Sequence, residues 1–126
     1  MEKIYTRQVD SIMRKLLFDL GYFGEKVEVT GKTPEGKRDY YKRTGWNFSE
    51  SGADKVDVRV GDVLDWLRTT KNKHVSVDPY RDVEGNFMYC GKIVDIMTCS
   101  GEITYASESF DSALGMAIIE ALKSLK

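Results

Sequence analysis

Cysteine and histidine are scarce in this chain, which limits the chemistry it can carry. Its 126 residues include two cysteines, Cys90 and Cys99, and one histidine, His74. Two cysteines cannot build the disulfide framework of a small secreted domain. Zinc needs several clustered ligands, and these three residues do not have that spacing. We therefore expect no metal site and reduced thiols, as in the cytoplasm.

Long apolar runs and an excess of one charge are also missing. No stretch approaches the roughly 20 apolar residues that span a bilayer. The first ten residues, MEKIYTRQVD, lack the apolar segment of a signal peptide. The formal net charge of −1 disfavours a protein dedicated to nucleic acid or membranes, although it allows a local basic patch. We expect no membrane partner and a cytoplasmic location.

Catalytic and cofactor motifs are absent from the sequence too. It contains neither a phosphate-binding P-loop nor a dinucleotide fingerprint. Its carboxylates show no spacing that singles out a pair for acid–base catalysis. A catalytic dyad would have to join His74 to Cys90 or Cys99, but a cysteine in a strand is most often a small buried apolar residue. We predict no catalytic residue, no cofactor and no enzymatic activity.

What the sequence does contain is a series of strongly periodic segments. Ser109 to Lys126 places apolar residues at helical spacing behind an N-capping serine. A second helical pattern covers residues 1–20, and a third covers about Gly61 to Thr70 after an extended start at Val56. Alternating patterns typical of strands lie between the last two helices, at residues 73–81, 86–97 and 102–107.

Two residues carry positional information within these predicted strands. Pro79 has no backbone N–H to donate, so it should end its strand or mark an edge of the sheet. Gly91 disturbs the alternation of the longest strand. That disturbance predicts a β-bulge or a close approach of another backbone.

Ahead of these elements, Lys26 to Trp46 is predicted to form a β-hairpin around a loop with proline and glycine. The polar stretch Asn47 to Lys55 is predicted to be a loop or linker. The fold class is thus α+β: an N-terminal helix and a β-hairpin, followed by an α-β-β-β-α unit with an antiparallel sheet packed on helices. The length fits a single domain, residues 1–126, in which residues 1–55 elaborate a core of residues 56–126.

The predicted hairpin is also the most basic part of the chain. Basic residues interleaved with aromatic ones can hold a single nucleic-acid strand through backbone charge and base stacking. The structural alternative is an exposed hairpin whose lysines discourage edge-to-edge pairing. The candidate nucleic-acid or partner residues are Lys32, Lys37, Arg38, Tyr40, Lys42 and Arg43.

The second candidate surface is a face of the predicted three-stranded sheet. Its aromatic residues would bind another protein, with Tyr80, Tyr89 and Tyr105 as the candidates. We rank a non-enzymatic protein-interaction module first and a nucleic-acid-binding protein that uses Lys26–Arg43 second. The sequence leaves homodimerisation open.

From Val60 to Lys126, the order helix, three strands, helix resembles the double-stranded-RNA-binding domain. The Ala and Leu spacing of the last helix is similar to that family's. The family's RNA contacts depend on a Lys-Lys-x-Ala-Lys start to that helix. Here the stretch Ser109–Ala113 holds Asp111 and no lysine, so the resemblance implies the fold without that RNA contact.

The same half of the chain is similar to a class of small uncharacterised proteins encoded by phages and mobile elements of gut bacteria. These have a helix that ends in Asp-Trp-Leu or Asp-Trp-Phe, a sheet with aromatic residues and an Ala-rich last helix. The resemblance implies an accessory protein with no established catalytic residue. It leaves residues 1–55 uncovered. The matching residues are Asp65, Trp66, Leu67, Ala113, Leu114, Ala117, Ile118, Ala121 and Leu122.

Overall fold

A computed structural model describes the backbone of residues 2–32 and 40–126, and the side chains of residues 4–27 and 45–126. The α+β class is confirmed, with helices and antiparallel sheets. The tip of the predicted hairpin, residues 33–39, lies outside the described residues. The elements are α1 (Glu2–Tyr5), α2 (Ser11–Asp19), β1 (Lys26–Lys32), β2 (Tyr40–Trp46), α3 (Glu50–Ala53), α4 (Val60–Thr70), β3 (Lys73–Arg81), β4 (Phe87–Asp95), β5 (Gly101–Ser107) and α5 (Phe110–Ser124).

The chain divides into two compact units. The first comprises Met1–Leu16 and Asp57–Lys126, and the second comprises Leu17–Val56. Residues 1–16 therefore belong with the α-β-β-β-α region rather than with the hairpin. The expectation of a single domain stays a prediction.

A short backbone ladder ties the N-terminal segment to the start of α4. The Val9 N–H donates to the Val58 carbonyl and the Val60 N–H donates to the Arg7 carbonyl, each over 3.0 Å. This ladder interrupts the helix that the sequence pattern predicts over residues 1–20, because Arg7 and Val9 use their backbone groups across the chain. The prediction of one continuous helix is therefore wrong, and α1 and α2 replace it.

Asp10 restarts the helix after this break. Its carboxylate accepts a hydrogen bond from the Met13 N–H over 2.8 Å, as an N-cap does. Val9 and Met13 are buried, as the apolar stripe predicts. Ile12 is in the same stripe but leaves 58% of its surface exposed.

The sheet of the first unit is antiparallel in the order β3-β4-β5. Val75 lies opposite Ile93, and both side chains are buried. Pro79 lies in the edge strand β3, as predicted. The α5 helix contacts all three strands, and α4 contacts β3. The core residues of this unit from α4 and α5 are Val60, Val63, Leu67, Ala113, Leu114, Ala117, Ile118, Ala121 and Leu122.

Gly91 lies at a β-bulge and is closely approached by another element, as its position in the strand predicts. The register of β4 and β5 shifts between Cys90 and Lys92, which is a β-bulge. A Cβ atom at Gly91 would lie 2.3 Å from the Thr104 Oγ1 and 2.8 Å from the Ala117 Cβ of α5. The missing side chain therefore allows α5 to pack closely against the sheet.

The α5 helix begins as the sequence predicts. The Ser109 hydroxyl accepts a hydrogen bond from the Ser112 N–H over 3.3 Å. Asp111 lies in the first turn and Lys123 in the last, where each charge favours the helix dipole. Small and large buried residues alternate along the helix, which lets it lie flat on the sheet.

In the second unit, β1 and β2 pair antiparallel from Lys26 opposite Trp46 to Lys32 opposite Tyr40, which confirms the predicted hairpin strands. The Trp46 ring meets Phe18 edge to face at 6.4 Å between centroids. Residues 50–53, predicted as loop, form α3. The Ser49 hydroxyl caps this helix by accepting from the Gly52 N–H over 3.1 Å.

Asp95 connects β4 to β3 and to the turn before β5. Its carboxylate accepts hydrogen bonds from the Lys73 ammonium over 3.1 Å and from the Met97 N–H over 2.9 Å. These contacts, with one from the Thr98 N–H, hold the pKa of Asp95 below its ordinary value of 3.8, and the Lys73 hydrogen bond is the largest cause. The carboxylate therefore stabilises the fold above the unfolded-state pKa, and this contribution is lost as pH falls through the lower folded-state pKa.

We predict that Asp95→Asn is less stable than the wild type at pH 7 and that the difference shrinks below about pH 4, where unfolded Asp protonates. Urea unfolding at pH 7 and pH 3 measures it. Asp78→Asn is the matched control, because the Asp78 carboxylate has no hydrogen-bond partner within the described part of the chain. An equal loss at both pH values would contradict the assignment.

Candidate functional site

The three-stranded sheet has two chemically different faces. Side chains alternate between the faces of a strand, so Val75, Gly91 and Ile93 share the side on which α5 packs. We call the opposite side the outer face. Its residues are His74, Ser76, Asp78, Tyr80, Met88, Cys90, Lys92, Val94, Ile103 and Ala106.

The outer face is more apolar than a face that only meets water. An antiparallel sheet with one solvated face normally carries polar side chains there. Here Ile103 exposes 74% of its surface and Tyr80 exposes 40%. Met88, Cys90 and Val94 of the central strand are half-buried on the same face. Contiguous exposed apolar side chains of this kind mark binding surfaces.

A shallow depression of about 490 Å³ lies on the outer face. Tyr80 and Pro79 from β3 form one side, Cys90 lies at the centre, and Ile103 from β5 forms the other side. Asp78 and Lys92 also line the depression, one of each charge. The site can therefore hold an apolar group and also offers one acceptor and one donor.

The structure does not bring the three predicted tyrosines together. Tyr80 lies on the outer face, opposite Met88. Tyr89 lies on the α5 side, where its ring meets Phe110 edge to face at 5.7 Å. Tyr105 lies in the bulge itself, where it and Thr104 oppose Gly91, and it lines a separate groove with Glu120.

Strand alternation explains this separation. Tyr89 is an even number of residues from Gly91 and Ile93, so it shares their side of β4. Tyr80 is an odd number of residues from Val75 and takes the other side of β3. The bulge then changes the alternation in β5, which strict periodicity cannot anticipate.

Sequence analysis missed the apolar members of the outer face, namely Met88, Cys90 and Ile103. The signal was present, because Met88 and Cys90 alternate with Tyr89 and Gly91 and so belong to the uncovered side. A choice of candidates restricted to aromatic residues does not include these three side chains.

The candidate residues of the hairpin cannot be placed as a surface. Lys32, Tyr40, Lys42 and Arg43 lie in β1 and β2, and their side chains fall outside the described residues. Lys37 and Arg38 lie outside the described residues entirely. Nucleic-acid binding by this hairpin stays a prediction.

The potentially reactive side chains are dispersed. Cys90 is half-buried on the outer face, while Cys99 is exposed in the β4–β5 turn. Cys90 lies opposite Asp78 and His74 opposite Val94, so His74 and Cys90 are four residues apart along the ladder, about 13 Å at the usual strand rise. Over the described ranges 2–32 and 40–126, no three metal-ligating residues cluster.

No protein-family model matches the chain, and neither a curated protein nor a solved structure matches it. None of the described helices combines the length and the apolar character needed to cross a membrane. The chain is thus defined by its α+β fold class and by the geometry of its sheet.

Proposed function

We propose that this chain is a non-enzymatic protein-interaction module whose outer face binds an apolar segment of another protein. The single observation that carries the proposal is the exposure of Ile103 and Tyr80 beside a depression on the side of the sheet opposite α5. Aromatic residues and methionine are enriched in protein interfaces, and charged residues are depleted at their centres. The outer face shares the aromatic residue and the methionine, although Asp78 and Lys92 also lie within it.

The energetics of burial support the proposal. A side chain the size of Ile or Met gains about 1.5–3 kcal/mol when it is fully buried. Ile103 and Tyr80 would supply apolar contacts of an interface, and Asp78 and Lys92, which lie between them in the depression, would supply polar ones. An interface of this design needs neither a cofactor nor a catalytic group.

The proposed setting is cytoplasmic, and the proposed role is that of an accessory protein. It rests on the reduced thiols expected from the sequence and on the resemblance of Val60–Lys126 to phage and mobile-element proteins. The partner would be a host or phage protein. This setting does not affect the test of the binding surface.

Replacement of Tyr80 and Ile103 by Asp tests the proposal. In a pull-down from bacterial lysate with purified chain as bait, we expect Tyr80→Asp with Ile103→Asp to retain a partner about tenfold less than the wild type, as loss of interface hot spots predicts. The partner should survive nuclease treatment, since protein contacts do not depend on nucleic acid.

Ile12→Asp is the matched control, because Ile12 is another exposed apolar residue but lies in α2 rather than in the sheet. It should retain the partner as the wild type does. Equal retention by the double variant would contradict the proposal. Loss of all retained proteins after nuclease would favour the basic hairpin Lys26–Arg43 instead.

A further inference from the structure

The outer edge of β5 carries unpaired backbone groups. The strand is last in the order β3-β4-β5, and no other strand of the described ranges pairs with it. The Asp95 N–H donates to the Ser100 carbonyl over 2.7 Å just before the strand begins. Hydrogen bonds alternate along an antiparallel ladder, so the N–H and C=O groups of Gly101 and Ile103 point away from β4.

The two edges of the sheet differ in how they discourage pairing. The edge strand β3 contains Pro79, which lacks an N–H, and the basic residues Lys73 and Arg81. Proline and lysine are common means of blunting a sheet edge. The sequence of β5, GEITYAS, has neither, and its blunting devices are the bulge and the charge of Glu102 on the α5 side. The β5 edge is therefore the more receptive of the two.

The groove beside this edge is acidic. It has a volume of about 380 Å³ and is lined by Glu102, Ile103, Thr104 and Tyr105 from β5 and by Glu120 from α5. No cationic side chain lines it. Within the described part of the chain, neither the Glu102 nor the Glu120 carboxylate makes an ion pair or hydrogen bond. A cationic group in the groove would meet two available acceptors.

We infer that the β5 edge accepts an extended segment of a partner protein as a fourth strand, with lysine or arginine side chains alternating with apolar ones. This inference rests on the proposed protein-binding function and specifies its partner. Main-chain hydrogen bonds to Gly101 and Ile103 would supply the pairing.

Strand geometry sets the pattern of the partner's side chains. Glu102 lies opposite Ile93 and therefore on the α5 side of the sheet, whereas Ile103 lies opposite Lys92 on the outer face. Side chains of an added strand alternate between these two sides. Basic residues on one side would meet Glu102 and Glu120, and apolar residues on the other would extend the row that Ile103 begins.

The charge of the groove disfavours a second copy of this chain as the occupant. Two copies joined through β5 would bring two Glu102 and two Glu120 carboxylates to one junction. None of the groove-lining residues is a cation that could offset them. Like charges placed opposite one another in a sheet are destabilising.

A labelled peptide of eight residues that alternates lysine and valine tests the inference by fluorescence anisotropy with the full chain, at concentrations where the peptide alone is monomeric. Three control peptides each remove one property of the alternating peptide. Glutamate in place of lysine reverses the charge, four lysines followed by four valines remove the alternation, and N-methylation of every second residue removes backbone donors. We expect each control to bind at least tenfold more weakly. The N-methylated peptide keeps its side chains but loses backbone donors, so equal binding by it would overturn strand addition.

Two variants of the chain complete the test. Glu102→Gln with Glu120→Gln should lower the affinity for the alternating peptide about threefold to tenfold, as the loss of two exposed ion pairs predicts. Glu84→Gln is the control, because Glu84 lies in the β3–β4 turn at the other end of the sheet. No difference between the double variant and the control would overturn the role of the groove.

The outcomes separate this inference from the proposed function. A partner that is retained through Tyr80 and Ile103, with no binding of the alternating peptide, would overturn strand addition and leave the outer face as the binding surface. Ile103 belongs to both surfaces, so Tyr80→Asp alone, which leaves β5 unchanged, separates them. Binding of the alternating peptide with the expected dependence on Glu102 and Glu120, without effect of Tyr80→Asp on the retained partner, would support the β5 edge and contradict the outer face.

Discussion

Ile118→Asp is expected to abolish cooperative folding. Ile118 lies in the middle of α5 and is fully buried, between the buried residues Ala117 and Leu122. An aspartate there would bury a charge without a partner and would remove the apolar contacts of the isoleucine. Changes of this type cost more than about 4 kcal/mol, a large share of the 5–15 kcal/mol that stabilises an ordinary domain.

Thermal unfolding followed by circular dichroism measures this effect. Met116→Asp is the matched control, because Met116 lies in the same helix but exposes 37% of its surface. We expect the control to unfold cooperatively, with a stability change of about 1 kcal/mol or less. A soluble Ile118→Asp variant with a cooperative transition near that of the wild type would show that the core face of α5 is assigned incorrectly.

Gly91→Ala is expected to destabilise the first unit by about 1–3 kcal/mol, as overpacking of a closed core does. The added Cβ would lie 2.8 Å from the Ala117 Cβ and 3.1 Å from the Ala113 carbonyl oxygen. Both neighbours belong to α5 and cannot move without shifting the helix away from the sheet. The closest atom, the Thr104 Oγ1 at 2.3 Å, belongs to a side chain.

A double-mutant cycle with Thr104→Ala separates these contacts. The Thr104 hydroxyl is buried and has no hydrogen-bond partner among the described residues, so its removal relieves one clash and leaves no donor unsatisfied. We expect partial rescue of Gly91→Ala in urea unfolding, because the contacts with α5 remain. Gly101→Ala is the control, since its Cβ would meet neighbours at ordinary distances of 3.4 Å or more. An equal loss in the control would mean that glycine flexibility, rather than packing, determines the effect.

Local patterns in the sequence predict most of the helices and strands of the fold. Strand β3 and the hairpin strands are identified by alternation, and α5 by its apolar stripe and its Ser109 cap. The bulge at Gly91 was also predictable, because glycine in a strand seldom packs well unless another backbone approaches it.

The helix boundaries that the sequence did not predict have causes other than apolar periodicity. The break between α1 and α2 depends on backbone hydrogen bonds to Val58 and Val60, about fifty residues along the chain, and no local pattern reports them. The short helix α3 depends on one serine cap in an otherwise polar stretch. The first case is a tertiary contact that overrides local preference, whereas the second is a local cap without an apolar stripe beside it.

The candidate surface on the sheet was predictable in location but not in composition. A three-stranded sheet with α5 on one side must leave its other side to water or to a partner. Which side chains occupy that side depends on register, and in β5 on the bulge. This is why Tyr80 lies on the outer face while Tyr89 packs against Phe110.

Hydrogen–deuterium exchange of the chain, alone and with the protein it retains from lysate, tests the central claim most directly. Binding at the sheet should slow exchange of the backbone amides in β5, Gly101–Ser107, whose outward N–H groups lack partners in the free chain. Exchange in the hairpin strands Lys26–Lys32 and Tyr40–Trp46 should remain unchanged. Slowed exchange confined to the hairpin, with β5 unaffected, would contradict a protein-binding sheet and would move the function to Lys26–Arg43.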